Sequence, residues 1–186
     1  MADAGNFSNE TKPTLVFVYG TLKKEFPNHH LLQELMSQKE AAYAGTCMTH
    51  QPHPLVIGPY GIPYMLHLPG SGGHPVNGEL YSVSTQGFVR LDELEGTSVG
   101  HYERRPIQVI MREKSESEEG DGVALVDAEA YFAHGSFGER MWVRCGRVGL
   151  GEYSLERHAC DYVKKVNRAE GRSFLDEMEL FLSGSA

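Results

Sequence analysis

The sequence predicts an α+β fold in which a strongly curved sheet or small barrel carries helices on its outside. Three observations point there. Many short β-branched or aromatic runs are set off by Gly, Pro and His; only a few stretches place apolar residues at helical spacing; and no segment repeats. With 186 residues, 40% of them hydrophobic, the chain fills one good core rather than two, so residues 14–186 are expected to form a single domain.

The elements follow in chain order. Residues 1–13 are polar and read as a disordered tail. Thr14 to Tyr19 (TLVFVY) is a buried strand bounded by Pro13 and Gly20, and Asn28 can cap a short helix carrying Leu31, Leu32, Leu35 and Met36 on one face. Ala42 to His50, Pro54 to Ile57, Pro63 to Leu68 and Val76 to Val83 read as further strands. A second helix is expected from a Ser84 cap to about Glu95, with Phe88, Leu91 and Leu94 inward and Gly96 as its stop. Strands at Tyr102 to Arg112 and Val123 to His134 flank the acidic stretch Glu113 to Asp121, which suits only a solvated hairpin loop. Ser136 to Gly151 reads as a Gly-rich linker. Beyond it, Leu155, Ala159, Tyr162, Val163 and Val166 line one face of an expected helix, and Phe174, Leu175, Met178 and Leu182 suggest another.

Bulk properties exclude several classes of function. A net charge of −8 and a pI near 5.6 offer no positive field for a nucleic-acid backbone, and Lys23-Lys24 and Arg104-Arg105 read as solvated pairs. No apolar run is long enough to span a bilayer, and the N-terminus lacks a signal pattern, so no membrane association is expected. Cys47, Cys145 and Cys160 are odd in number and without CxxC spacing, which suits reduced thiols in a cytoplasmic protein. Nine histidines lie in separate turns and strands without ligand spacing, and no P-loop, GxGxxG or GxSxG appears; neither metal nor cofactor is expected.

Two places carry chemistry. Tyr19-Gly20-Thr21-Leu22 leaves a strand and turns toward a helix, so successive N–H groups can converge on an anion, although an ordinary tight turn explains the same four residues. In LDELEG, Asp92 and Glu95 share one helix face with apolar residues. There the negative helix end and a neighbouring carboxylate would raise the pKa of Glu95 and fit it for proton transfer near neutrality. A solvated acidic helix end is the other reading of those six residues.

Taken in order, FVYGTLK (Phe17 to Lys23), PNH (Pro27 to His29), PLVI (Pro54 to Ile57), IPYMLHLPGSG (Ile62 to Gly72), VNGELYSV (Val76 to Val83) and LDELEG resemble the γ-glutamylamine cyclotransferases and their plant avirulence-induced relatives. The resemblance implies a compact mixed β-barrel with outer helices and no cofactor. It implies a reaction in which the α-amine of a small γ-glutamyl substrate attacks its own γ-carbonyl, releasing 5-oxoproline and an amine. It implies a substrate pocket framed by Tyr19, Gly20, Thr21 and Leu22, with Glu95 as acid-base group. Ile62 and Tyr64 either line the amine channel or pack in the core. The chain departs from the animal enzymes after Arg105, and residues 136–186 form a divergent C-terminal extension. A catalytically silent ligand-binding or stress-response interaction module on the same fold is the competing expectation.

Overall fold

The computed structural model describes residues 13–112, 123–168 and 171–184. The expected disordered tail, save Pro13, and the expected loop at Glu113 to Asp121 fall outside the described residues.

Five strands close into a barrel in the spatial order β1 (Thr14–Val18), β5 (Asn77–Val83), β2 (Ala41–Thr49), β6 (Tyr102–Arg112) and β7 (Val123–Ala133). Neighbours are antiparallel except where β7 meets β1, with Val16 opposite Glu129 and Phe17 opposite Ala130. That parallel seam makes the barrel mixed and removes the free edges. A register shift in β2 between Tyr43 and Gly45 supplies the curvature that closure needs, and Gly45 adopts φ +145° there. A two-stranded ribbon, β3 (Leu55–Ile57) with β4 (Pro63–Met65), lies beside the barrel. Its strands are joined through a 3-10 turn at Pro59–Gly61.

Two helices build the rim that matters for function. α1 (His29–Ser37) buries Leu31, Leu32 and Leu35. Asn28 precedes it without capping it through its side chain, which instead donates to Thr21 Oγ1 at 2.8 Å. The asparagine therefore fixes the loop after β1 rather than the helix. α2 (Thr85–Glu95) starts at Ser84, whose hydroxyl accepts from the Gly87 N–H, and stops at Gly96 in the left-handed region, as expected.

The C-terminal region departs from expectation in two places. Residues 136–151 are not a linker: α3 (Gly135–Arg144) runs through them and buries Phe137, Met141 and Trp142. The glycine-dense composition concealed that 3.6-residue pattern, and tertiary burial outweighs the cost of Gly138 in the helix. The helix expected through Val166 ends early, as α4 (Leu155–Asp161), and none of its residues is buried. Tyr162 turns extended, and the Val163 N–H donates to the Tyr60 carbonyl at 2.9 Å instead of continuing the helix. α5 (Phe174–Ser183) forms as expected, opened by a Ser173–Asp176 capping box.

Tyr153 anchors this region. It is fully buried, and its hydroxyl donates to the Gly61 carbonyl at 2.9 Å. A Cβ at Gly61 would sit 2.2 Å from the Asp161 carbonyl oxygen, so glycine is required where α4 closes on the ribbon turn.

Candidate active site

The loop after β1 is held from several sides, yet its own amides are left available. The Lys23 N–H closes a tight turn on the Gly20 carbonyl at 3.1 Å, and the Asn28 N–H reaches the Thr21 carbonyl at 3.0 Å. Tyr19 is buried; its hydroxyl donates to the Tyr131 carbonyl at 2.7 Å and accepts from the Met65 N–H at 3.1 Å. Lys23 is not a solvated turn charge. It is only 6% exposed, and its ammonium donates to the Tyr153 carbonyl at 2.8 Å, tying the loop to the C-terminal anchor. Arg104 is exposed, as expected, but its guanidinium lies over the Phe88 ring and 3.5 Å from Asp92. Among the described residues the N–H groups of Gly20, Thr21 and Leu22 have no hydrogen-bond partner. A Cβ at Gly20 would come 2.9 Å from Pro63 Cγ, so only glycine lets the loop pass this close to β4.

These four residues, with Pro63, Tyr102, Tyr131 and Glu95, surround a narrow cleft of about 350 Å³ including its mouth. The two places singled out in the sequence therefore meet in one cavity, although 73 residues separate Leu22 from Glu95. Glu95 arrives there because Phe88 and Leu91 are buried along α2 and Gly96, at φ +63°, ends the helix one residue later. The residue is half-buried, and its carboxyl makes no hydrogen bond or ion pair among the described residues. Burial alone pushes its pKa up to about 7. The expected contributions of the helix end and of Asp92 are not what raises it. Asp92 is engaged elsewhere, accepting from the Tyr131 hydroxyl at 2.7 Å and pairing with Arg104.

Thr21, Glu95 and Tyr102 also border a second, wider cleft, about 1540 Å³ counted the same way. Ile62 and Tyr64 line it. Tyr64 is also a core residue, stacked on Tyr102 at 5.0 Å with its hydroxyl 2.8 Å from His101 Nε2, so it lines the cleft and packs in the core at once. Burial, with Arg168 adding to it, lowers the His101 pKa to about 4, which keeps this imidazole neutral near pH 7. His101, Tyr102, Tyr131 and Arg168 were not singled out in the sequence. The tyrosines read only as strand residues there, His101 as one of nine scattered histidines, and nothing local announced Arg168.

The family model described as gamma-glutamyl cyclotransferase, AIG2-like, matches residues 16–153. The chain belongs to this family. A relative from Arabidopsis thaliana classed with the γ-glutamylcyclotransferases is 48% identical over 174 residues, covering 91% of this chain and 92% of the relative. The human γ-glutamylaminecyclotransferase is 43% identical over 100 residues, 53% of this chain and 63% of that protein, so the match spans a little under two thirds of the human chain. Among solved structures, the mouse AIG2-like protein superposes with a TM-score of 0.61 at 31% identity, covering 84% of this chain and 99% of the mouse chain. The small mixed barrel with outer helices is thus the fold of this family. The narrow cleft lies within the family-matched residues, whereas α4, α5 and the segment between them lie beyond residue 153.

Proposed function

We propose that the protein is a cofactor-independent γ-glutamyl cyclotransferase that cyclises a small γ-glutamyl substrate to 5-oxoproline with Glu95 as its acid-base group. One observation carries the reading: an unpaired carboxyl whose pKa lies near 7 shares a narrow cavity with three unmatched backbone N–H groups. A carboxyl without a structural partner costs stability where it stands, which suits a group kept for chemistry rather than for the fold. A silent binding module would gain nothing from it.

In this reading the N–H groups of Gly20, Thr21 and Leu22 hold the substrate's α-carboxylate, with Tyr19 bracing the loop. Glu95 takes a proton from the α-ammonium, and the freed nitrogen attacks the γ-carbonyl carbon. A C–N bond forms in a five-membered ring, and the amide C–N bond to the leaving group breaks. Over the whole reaction the α-nitrogen gives up two protons and the leaving nitrogen gains two, so Glu95 passes them in turn and ends as it began. Because nucleophile and electrophile belong to one molecule, holding the folded conformer removes much of the barrier, and no covalent enzyme intermediate is required.

A cytoplasmic setting fits the three unpaired cysteines, and among the described residues no helix is long and apolar enough to cross a membrane. The net charge of −8 argues against nucleic acid as a partner. The test is direct. Purified protein should release 5-oxoproline from at least one of a panel of γ-glutamyl compounds, with kcat/KM rising along an acid limb that inflects near pH 7. No release from any of them would overturn the reading.

A further inference from the structure

The narrow cleft accounts for the γ-glutamyl half of a substrate and leaves the wider cleft without a role. The two communicate through Thr21, Glu95 and Tyr102, so whatever is bonded to the γ-carbonyl must point into the wider one. That space is lined by Tyr60, Ile62 and Tyr64, from the β3–β4 ribbon, and by Tyr162, Arg168 and other residues beyond the family-matched region.

Arg168 is placed with unusual care for a residue on an irregular segment. Its Nε donates to the Val163 carbonyl at 3.0 Å, and Val163 is itself bonded to Tyr60. Its guanidinium lies over two rings, 5.0 Å from that of Tyr60 and 5.6 Å from that of Tyr162. Tyr60 adopts a left-handed φ of +60° where its ring meets the guanidinium. Among the described residues the two terminal nitrogens of Arg168 have no acceptor. The other cation in the cleft, Arg172, is paired, its Nη1 3.8 Å from Glu177 Oε1, while the Glu95 carboxyl stands at the border with the narrow cleft. Arg168 is therefore a braced, half-buried cation with a fork of free donors, a geometry that suits a carboxylate.

We propose that the wider cleft is the leaving-group subsite and that Arg168 makes the enzyme prefer γ-glutamyl compounds whose leaving amine carries a carboxylate, namely γ-glutamyl amino acids and peptides, over those releasing an uncharged amine. This specificity rests on the cyclotransferase reading and extends it. Arg168 is a specificity residue and not a proton carrier. The Coulomb influence of its charge reaches His101 and Tyr64, groups that border the same cleft as Glu95, so a bound carboxylate would be felt at the reacting end.

The experiment compares γ-glutamyl-alanine with γ-glutamyl-alaninamide, which differ in the charge of the leaving group and little in size. Wild-type protein should favour the acid about ten- to a hundredfold in kcat/KM, the range of a charge-assisted hydrogen bond. Arg168→Gln should lose that factor on the acid alone, chiefly through KM, and Arg168→Lys should recover part of it. Equal turnover of both compounds by wild type would overturn the subsite while leaving the cyclotransferase reading intact, and this comparison needs no variant to fold. An equal loss on both compounds in Arg168→Gln would assign Arg168 a structural role and overturn the specificity claim. Release of 5-oxoproline from neither compound, nor from any other γ-glutamyl compound, would remove the functional reading and the subsite with it.

Discussion

Replacing Glu95 with Gln should make the protein more stable, and by an amount that depends on pH. Burial raises the Glu95 pKa from the ordinary 4.5 to about 7. The folded chain therefore binds the proton more tightly than the unfolded chain. Stability is undiminished below pH 4.5, falls as pH rises through the window from 4.5 to 7, and carries its full deficit above 7. At 1.36 kcal/mol per pH unit the deficit is about 3 kcal/mol at pH 8 and under about 1 kcal/mol at pH 5. Gln keeps the shape and cannot ionise, so Glu95→Gln removes this slope while every other titrating group is common to both proteins. Urea unfolding of the two proteins at pH 5, 6, 7 and 8 measures the difference directly. It should widen from under about 1 kcal/mol at pH 5 to about 3 kcal/mol at pH 8, the latter about 6–12 °C in Tm for a domain of this size. A variant no more stable than wild type at pH 8, or one stabilised equally at every pH, would refute the account of why this carboxyl titrates where it does.

Three further outcomes are expected. Gly20→Ala places a methyl 2.9 Å from Pro63 Cγ and should cost about 1–3 kcal/mol of stability, with 5-oxoproline binding weakened at least tenfold in calorimetry. Asp92→Asn keeps the acceptor for the Tyr131 hydroxyl and loosens only the partly exposed pair with Arg104, so kcat should stay within about threefold and stability within about 1 kcal/mol by thermal melts. EDTA should leave turnover unchanged, because among the described residues no group of three or more His, Cys, Asp or Glu is placed to hold a metal ion; recovery by added zinc after a loss would show that reasoning wrong.

Much of the site was legible because its parts are local. A strand that breaks at Gly20 and a helix that stops at Gly96 each announce themselves within a few residues, and so the framing loop and the position of Glu95 could be placed before any tertiary contact was known. The origin of the pKa shift was not legible. It depends on what surrounds the carboxyl in the barrel rather than on the helix end or on Asp92, which Tyr131 and Arg104 hold away in a contact spanning β6 and β7. Lys23 misled for the same reason: a lysine pair in a turn reads as solvated until Tyr153, 130 residues on, supplies the carbonyl that buries it. The C-terminal region was the least readable. α3 hides its apolar face among glycines, and α4 ends where Val163 finds a partner on the β3–β4 turn, a choice that no local periodicity encodes.

The claim at the centre of this account is that Glu95 moves protons in the shared cavity, and steady-state release of 5-oxoproline by Glu95→Gln tests it most directly. The variant should stay folded, more stable than wild type at pH 8, bind 5-oxoproline as wild type does, and lose about a hundredfold or more in kcat together with the acid limb near pH 7. A folded Glu95→Gln protein that turns over at the wild-type rate would contradict it.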